Sequence, residues 1–425
     1  MNLKYFPRLV DTRLTNVLSA FPATLIVGPR AVGKTTTARR VADVIVELDD
    51  PVQAAQFRAD PSVALAAVRR ASVGPVLLDE WQEVPEVLGA VKRAVDQGAE
   101  PGSFILTGSV RAPLQSASWP GTGRLITIEM QPLTVLERQA TDSPSSDVVN
   151  TIMTGQALDL EPPRERVTLV DYLNFAVAGG YPPVSGLSDD ARKLWLHSYV
   201  EQLVLRDVPE LGEIRDPATL RRLLHALLES TGTLTPDTEL AAAADMNVKT
   251  VQRQQRLLED LRIVSSLPAW HANQLSRLIK RRKRYAVDTG LVAALLEADT
   301  HGILSNGDLM GRMVETFVLA QLRPLLDAAT RRIAAYHLRQ QDGRREVDVV
   351  LEASDGGIVA MEIKAAAGPS AKDARHLSWL REQLGDRFRA GVVLHTGPAV
   401  YPLGEGITAV PIAALWSNKK GEHSG

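Results

Sequence analysis

The sequence predicts an α/β protein of several domains, and three observations lead to that prediction. A glycine-rich loop at residues 28–35 follows the apolar, strand-like residues 24–27. A second apolar run, residues 76–78, ends in two acidic residues. Strand-like runs alternate with helical segments over residues 1 to about 140, and they alternate again over residues 305 to about 415. Such alternation is typical of sheets that are covered by helices.

Residues 28–35 form a complete G-x-x-x-x-G-K-T phosphate-binding loop. Its glycines let backbone N–H groups close around a β-phosphate, and the helix that starts near Lys34 points its positive end at the same anion. Lys34 is predicted to reach the β- and γ-phosphates, and Thr35 the magnesium ion. The sequence therefore predicts binding of ATP with Mg²⁺. The predicted nucleotide-binding residues are Gly28, Pro29, Arg30, Ala31, Val32, Gly33, Lys34, Thr35 and Thr36.

Two acids end the second apolar run. A buried parallel strand delivers its last side chains to the carboxyl edge of the sheet, where α/β proteins bind ligands. Asp79 is predicted to hold the magnesium ion, and Glu80 to polarise the attacking water. The alternative is a strand that happens to end in solvated acids.

Two further residues are candidates for the same reaction. Thr107 ends another strand-like run and is predicted to sense the γ-phosphate or align the water, with Ser109 as its substitute. Ordinary turn chemistry explains this Thr-Gly-Ser sequence equally well. Arg124 precedes a further strand and is a candidate to stabilise transition-state charge in a neighbouring subunit's site. The alternative is a surface arginine.

Composition narrows the class of protein. Of 425 residues, 45% are hydrophobic and 23% charged, which is an ordinary balance for a globular protein. The absence of cysteine excludes disulfides, thiolate metal sites and cysteine nucleophiles. No apolar run is as long as a membrane span, and residues 1–7 lack a secretory apolar core, so the sequence predicts a cytoplasmic protein without a membrane partner.

Residues 235–287 are predicted to form a helix, a short turn, a second helix and two strands. This order resembles a winged helix-turn-helix, whose second helix can enter a major groove. The net charge is −2, so a DNA-binding surface has to be local. Alternatively, the module joins domains or pairs proteins, and its charges form a solvated face. The predicted nucleic-acid patch is Lys249, Gln252, Arg253, Arg256, Lys280, Arg281, Arg282, Lys283 and Arg284.

A second chemical constellation lies in the C-terminal part. Residues 346–351 and 358–364 are predicted to form two strands of a hairpin around residues 355–357. Strand side chains alternate faces, so Glu346 and Asp348 share one side of the first strand, and Glu362 and Lys364 share one side of the second. The order Asp348, Glu362, Lys364 fits the D…(D/E)-x-K arrangement of restriction-endonuclease-like folds. There, carboxylates hold Mg²⁺ or Mn²⁺ against a phosphodiester while the lysine positions water and stabilises charge. Glu315 is a further candidate ligand.

Two alternatives to catalysis remain for these residues. Pairs of glutamate and lysine on neighbouring strands are common, so the four side chains can form a solvent-facing ladder of ion pairs. A nuclease-like fold can also lack catalysis, because a fold does not establish a function. The predicted domains are a P-loop domain 1–140, a connection 141–167, a helical region 168–234, a winged-helix-like domain 235–300, a nuclease-like domain 305–415 and a flexible tail 416–425.

Taken together, these motifs resemble a prokaryotic family of AAA-type ATPases joined to a C-terminal domain of unknown function. The resemblance implies ATP binding, a winged-helix segment and a nuclease-like C-terminal domain. Between Ser109 and Arg124 the sequence departs from the small, helical approach expected of the family. The blocks that carry the resemblance are GPRAVGKTT, LLDEWQ, LTGS, Gly123-Arg124, Gly179-Gly180-Tyr181-Pro182, Arg206-Asp207, Tyr285-Ala286-Val287-Asp288-Thr289-Gly290-Leu291, EVDVVLE and MEIK.

The sequence thus predicts an ATP-hydrolysing, magnesium-dependent protein whose nucleotide state controls how its C-terminal domains engage DNA. Metal-dependent DNA cleavage with Asp348, Glu362 and Lys364 as catalytic residues is a separate prediction. The alternative is an ATP-dependent switch or scaffold, in a toxin, defence or regulatory system, that binds DNA or protein without cutting. A third interpretation is a C-terminal half that binds only protein. Assembly into an oligomer is compatible with each.

Overall fold

The structure is a computed structural model that describes residues 5–108, 123–161, 165–204, 216–272, 281–340 and 343–417. The chain divides into two compact units. The first comprises Met1–Pro132, Thr141–Ser143 and Asp260–Arg262; the second comprises Leu133–Ala140, Pro144–Glu259 and Ile263–Gly425. Residues 133–140, which the sequence assigned to the P-loop domain, therefore group with the second unit.

The first unit is built on a parallel sheet. Its elements are α1 Leu9–Ala20, β1 Ala23–Val27, α2 Lys34–Arg39, β2 Val44–Glu47, α3 Pro51–Ala59, α4 Pro61–Arg70, β3 Val76–Asp79, α5 Val87–Asp96, β4 Phe104–Gly108 and β5 Ile126–Glu129. Asp50 and Asp60 accept backbone N–H groups at the starts of α3 and α4, and each precedes a proline at the first helical position.

The strands of the first unit follow the order β2-β3-β4-β1-β5, and each neighbouring pair is parallel. Every residue of β1, β3 and β4 is buried, as expected for strands covered on both faces. Because β4 lies between β1 and β3, the residues that end these three strands are neighbours at the carboxyl edge of the sheet. This edge is where the predicted nucleotide site lies.

The elements that follow are mainly helical before a second large sheet. They are α6 Val135–Gln139, α7 Asp147–Met153, α8 Leu169–Ala178, α9 Asp189–Gln202, α10 Pro217–Glu229, α11 Asp237–Ala244, α12 Val248–Asp260, β6 Val264–Leu267, β7 Lys283–Ala286, α13 Thr289–Leu295, α14 Thr300–Leu304, α15 Gly307–Ala328, β8 Ile333–Gln340, β9 Arg345–Ala353, β10 Ile358–Lys364, α16 Arg375–Leu384, β11 Phe388–His395, β12 Tyr401–Gly404 and β13 Ile407–Pro411.

The middle of the second unit has the order that the sequence predicted. Asp245, in the left-handed region with φ 54°, ends α11 and turns the chain toward α12. Strands β6 and β7 then pair antiparallel. The winged-helix name for this order of elements stays a prediction.

The C-terminal sheet is mixed, with the order β12-β13-β11-β10-β9-β8. Strand β11 is parallel to both β10 and β13, whereas the other neighbouring pairs are antiparallel. Strands β9 and β10 form the predicted hairpin around residues 355–357, which is confirmed. Leu377 and Leu380 of α16 pack against Val350 and Val393 in the core of this sheet.

Two sequence blocks of the second unit, residues 179–182 and 285–291, meet at the buried side chain of Asp288. Asp288 accepts hydrogen bonds from the backbone N–H groups of Gly180, Gly290 and Leu291 at 2.5, 2.9 and 3.3 Å. Gly179 has φ 65°, and a Cβ there would lie 2.5 Å from an Asp288 carboxylate oxygen. The structure thus gives these motifs a role in packing, since a glycine is required where the carboxylate approaches the backbone.

The start of the predicted tail differs from expectation. Trp416 is 6% exposed and packs edge-on against Tyr172, Phe175 and Phe317. The folded unit therefore extends to this residue, because its indole is buried among aromatic rings. Residues 418–425 lie outside the described residues. Across the described chain, no helix combines the length and the hydrophobicity needed to span a bilayer.

Candidate functional site

The phosphate loop connects β1 to α2. Gly33 has φ 97° and Ala31 φ 61°, so the chain visits the left-handed region twice within the loop. Gly28 is required for another reason: a Cβ at this position would lie 2.4 Å from the Met130 carbonyl oxygen. The loop is therefore held tightly against the residue that follows β5.

Lys34 is the first residue of α2 and is 6% exposed. Its Nζ donates to the carbonyl oxygens of Gly28 and Pro29 at 3.1 and 2.8 Å. Burial lowers the pKa of Lys34 to about 8, and the nearby Glu80 carboxylate opposes that shift. The ammonium group thus lies inside the loop, where a phosphate would replace weak carbonyl acceptors with full negative charge.

Three predicted residues meet at the strand ends. Thr35 Oγ1 donates to Asp79 Oδ1 at 2.9 Å, and Thr107 Oγ1 donates to the same oxygen. Asp79 is 5% exposed. A hydroxyl and a carboxylate are hard oxygen ligands of the kind Mg²⁺ prefers, so the residues present fit the ion that the loop implies. Thr107 lies here because β4 separates β1 from β3.

Glu80 follows β3 in the left-handed region, with φ 51°. Its side chain is half-buried and accepts a hydrogen bond from the Gln82 amide. A Cβ at Gly108 would lie 2.7 Å from Gln82 Oε1 and 2.9 Å from Trp81 Nε1, so a glycine is required at the end of β4. Sequence reasoning missed Gln82 as a partner of Glu80, although it belongs to the LLDEWQ block.

Arg8 is a second residue that sequence reasoning missed. It is 4% exposed, and its guanidinium donates to the carbonyl oxygens of Val32 at 2.8 Å and Gln131 at 2.6 Å. Its backbone N–H donates to Asp11 Oδ2 at 2.9 Å, which fixes the start of α1. No sequence signal identifies it, because it lies 20 residues before the loop that it supports.

The remaining first-unit candidates lie at the surface. Arg30 and Thr36 are exposed. Arg124 Nε lies 2.7 Å from Asp96 Oδ1, and both side chains are 39% exposed. Arg124 therefore lies at the surface, which is the alternative that the sequence analysis gave. Its role in a neighbouring subunit's site stays a prediction. Ser109 lies outside the described residues.

The parallel sheet, the loop and the paired Thr35 and Asp79 define the class of this region, an AAA-type P-loop domain. Residues 20–138 match the profile of the AAA domain. Residues 169–302 and 310–415 match two domains of unknown function, DUF8612 and DUF4143. These matches support the AAA-type ATPase assignment and attach no function to the second unit.

Curated relatives span most of the chain. The uncharacterized proteins Rv2008c of Mycobacterium tuberculosis and Mb2031c of Mycobacterium bovis are each 29% identical over 405 residues, covering 94% of this chain and 82% of the relative. Among solved structures, the Walker-type ATPase paby2304 of Pyrococcus abyssi is 13% identical with TM-score 0.40, covering 70% of this chain and 100% of that chain. A RuvB variant of Thermotoga maritima is 14% identical with TM-score 0.27, covering 61% and 89%.

The predicted basic patch splits into exposed and paired residues. Exposed side chains belong to Lys249, Gln252, Arg253, Arg256, Arg281 and Arg282. Gln252 donates to Asp237 Oδ2 at 2.9 Å. Arg284 differs from expectation, because it pairs with Asp237 and donates to Gln255 Oε1 at 2.7 Å. Lys280 lies outside the described residues.

The carboxylates of the C-terminal sheet line a pocket of about 370 Å³. Asp348 Oδ2 accepts from the Ile363 N–H at 2.9 Å, and Glu362 Oε2 accepts from Lys364 Nζ at 2.7 Å. Burial and the Asp348 charge raise the pKa of Glu362. The sequence grouped these side chains as the structure does. The pocket is lined by Gly343, Glu346, Asp348, Glu362, Lys364, Lys372, Asp373, Arg375 and His376.

Glu315 does not join that pocket as a free ligand. Its Oε1 accepts from Lys283 Nζ and from the Tyr285 hydroxyl, both at 2.6 Å. Burial and the Asp348 charge raise the pKa of Glu315 to about 7, and Lys283 opposes them. Within the described residues, no group of three or more His, Asp or Glu side chains is arranged to hold a metal ion. The roles of Asp348, Glu362 and Glu315 as ligands of Mg²⁺ or Mn²⁺ stay a prediction.

Proposed function

We propose that this chain binds ATP with Mg²⁺ and hydrolyses it at the carboxyl edge of the first sheet. The observation that carries the proposal is the contact of Thr35 with Asp79 beside a loop that buries Lys34. A buried ammonium, loop N–H groups and a hydroxyl–carboxylate pair are the groups that a magnesium-bound triphosphate needs. The bound ion supplies neutralisation of the phosphate charge.

Each residue has a separate role in the proposed reaction. Lys34 neutralises the β- and γ-phosphates, and Thr35 with Asp79 holds the ion. Glu80 orients and polarises the attacking water, and its contact with the Gln82 amide fixes its carboxylate before substrate binds. The hydroxyl of Thr107 orients Asp79, since both of them lie at the ends of adjacent strands.

Substitution of Lys34 tests this proposal. Lys34→Ala should lose ATP turnover by about 100-fold or more, because a buried positive charge no longer stabilises the transferring phosphate. Phosphate release and calorimetric ATP titration measure turnover and binding. Lys92→Ala, which removes a surface lysine of the same unit, is the matched control. Equal turnover in Lys34→Ala and the wild type would reject the proposal.

We further propose that the α11–β7 segment binds DNA and that nucleotide state controls this binding. The supporting observation is the exposure of Lys249, Arg253 and Arg256 on the second helix of a helix-turn-helix order. Lys and Arg on such a helix contact phosphates and base edges. Binding without cutting matches the role of a switch or scaffold.

Salt dependence of binding tests the DNA proposal. Affinity for a fluorescent duplex should fall with salt, and Arg253→Ala should reduce the log–log slope by about one. Arg332→Ala, which removes an exposed arginine elsewhere in the second unit, should keep the slope. A salt-independent signal would count against DNA binding. Equal affinity for DNA with ATP, ADP and no nucleotide would count against control of that binding by the nucleotide.

Metal-dependent cleavage is the competing proposal for the C-terminal pocket. Its support is that Asp348, Glu362 and Lys364 line one cavity with Lys372 and Arg375, which suits a phosphodiester. Mn²⁺-dependent nicking of plasmid that disappears in both Asp348→Ala and Lys364→Ala would establish it. We favour binding without cutting, because the Lys283 ammonium group already lies 3.7 Å from Asp348 Oδ1 and 2.6 Å from Glu315 Oε1.

A further inference from the structure

Lys283 occupies the centre of the carboxylate cluster of the second unit. This first residue of β7 is 4% exposed. Its Nζ lies 2.6 Å from Glu315 Oε1, 3.7 Å from Asp348 Oδ1 and 3.8 Å from Glu346 Oε1. The three carboxylates come from α15 and β9 and thus converge on an ammonium group supplied by a third element.

A divalent ion and this ammonium compete for one position. An Mg²⁺ or Mn²⁺ ion shared by Glu315 and Asp348 would need an oxygen of each at about 2.1 Å. Lys283 Nζ already lies 2.6 Å from Glu315 Oε1 and 3.7 Å from Asp348 Oδ1. The other contacts reinforce the ammonium: the Tyr285 hydroxyl donates to the same Glu315 oxygen, and the Ile363 N–H donates to the second Asp348 oxygen. Two hydrogen bonds thus already occupy Glu315 Oε1, and one occupies Asp348 Oδ2.

The side chains of Glu315 and Asp348 are only 14% and 13% exposed, so these two carboxylates require a cation or a proton. Leaving them in a low-dielectric site without one is costly, and removal of one partner of such a cluster is strongly destabilising. Lys283 meets that requirement from within the chain. Burial lowers its pKa, but Glu315, Asp348 and Glu346 more than offset that and raise the pKa above its ordinary value.

We propose that Lys283 is the resident cation of this cluster, that it excludes Mg²⁺ and Mn²⁺ from the position beside Asp348, and that it fastens β7 to α15 and β9. The inference goes beyond ATP hydrolysis and does not depend on it. It assigns Lys283 to this carboxylate cluster instead of the basic patch in which the sequence had placed it. It also gives a physical reason why the D…(D/E)-x-K order need not produce a metal-dependent nuclease.

Counting the Mn²⁺ ions bound per chain tests whether Lys283 excludes a divalent ion from the cluster. Full-length wild type, Asp348→Asn, Lys283→Met and the double variant are titrated with Mn²⁺ without nucleotide, and free Mn²⁺ is measured by electron paramagnetic resonance. The wild type and Asp348→Asn should bind equal amounts, since binding at the phosphate loop is common to all samples. Lys283→Met should bind one more ion per chain, and the double variant should lose it. Arg332→Met, which removes an exposed charge, should match the wild type.

Two results would overturn the proposal. One is a wild type that binds one more Mn²⁺ than Asp348→Asn, and the other is a folded Lys283→Met that gains none. Amine labelling of the wild type gives a test that no folding defect affects. Native Lys283 should acetylate at least about tenfold more slowly than exposed Lys249, and the difference should vanish in urea. Equal native rates would show that Lys283 is not buried among the carboxylates.

Discussion

The phosphate loop and the carboxylate cluster around Lys283 each bury a lysine near acidic residues, yet the two lysines differ in their partners. Lys34 donates to loop carbonyls, and burial lowers its pKa to about 8. Lys283 faces three carboxylates; burial lowers its pKa, and those charges more than reverse the shift. The first lysine donates to neutral carbonyl oxygens, so its surroundings favour the binding of a phosphate. The second lysine already faces the carboxylates of Glu315, Asp348 and Glu346, so it does not require an anionic ligand.

This difference indicates that the function of a buried lysine near carboxylates depends on which groups contact the lysine. In the loop, local backbone geometry fixes Lys34, because Gly33 and Ala31 adopt the left-handed conformation within a few residues of it. In the carboxylate cluster, the neutralising side chain comes from β7, although Lys283 precedes Asp348 by 65 residues. Four substitutions or titrations can sharpen or break this contrast.

The largest expected effect is on catalysis at the first site. Glu80→Gln should lower ATP turnover by about 10²–10⁴-fold, because the amide cannot accept a proton from water. ATP binding should be retained, since Lys34 and the loop are unchanged. Turnover and calorimetric affinity measure the two effects. Glu86→Gln alters an exposed glutamate of the same unit and should behave as the wild type. Full turnover in Glu80→Gln would assign the water to another residue.

Sequence reasoning succeeded where chemistry is local. The loop, the strand ends Asp79 and Thr107, and the β9–β10 hairpin follow from residue patterns within single elements. It grouped Asp348, Glu362 and Lys364 because alternation along strands fixes which side chains share a face. It did not anticipate Arg8 or the burial of Lys283.

The reason for these omissions is physical. Arg8 acts on carbonyls of Val32 and Gln131, and backbone groups carry no sequence signature. A run of basic residues looks like a solvated face, and nothing in the run reveals that Lys283, the first residue of β7, is buried while Arg282 before it stays exposed. Long-range packing decides both cases.

The second prediction concerns support of the loop. Arg8→Ala should destabilise the first unit by about 2–3 kcal/mol, because two charge-assisted hydrogen bonds disappear and leave buried carbonyls unpaired. Hydrogen exchange of β1 and the loop reports this locally. Arg70→Ala removes an exposed arginine of the same unit and should change exchange by less than about 0.5 kcal/mol. Unchanged loop protection in Arg8→Ala would mean that the loop holds its shape without the guanidinium.

The third prediction is the pH dependence of ATP binding. Affinity should be level below about pH 8 and fall by up to about tenfold per pH unit above it, since phosphate needs the protonated Lys34. The folded pKa lies below the unfolded value of 10.5, so the unfolded chain binds more protons between those values. Stability of the nucleotide-free protein from this group therefore rises with pH across that window. Lys34→Arg should abolish the slope in affinity.

The smallest expected effect is on the stability of the carboxylate cluster around Lys283. Tyr285→Phe removes a hydroxyl that donates to Glu315 at 2.6 Å, while Lys283 still neutralises that carboxylate. The loss of unfolding free energy should be about 1.5 kcal/mol, at the lower end for hydrogen bonds to charged groups, because the acceptor keeps its cation. Urea unfolding followed by hydrogen exchange of β7 and α15 measures it. Tyr401→Phe removes a hydroxyl bound to the neutral carbonyl of Pro369 and should cost about half as much. A loss above about 3 kcal/mol in Tyr285→Phe would mean that Lys283 alone cannot hold the carboxylates, and the contrast with the phosphate loop would fail.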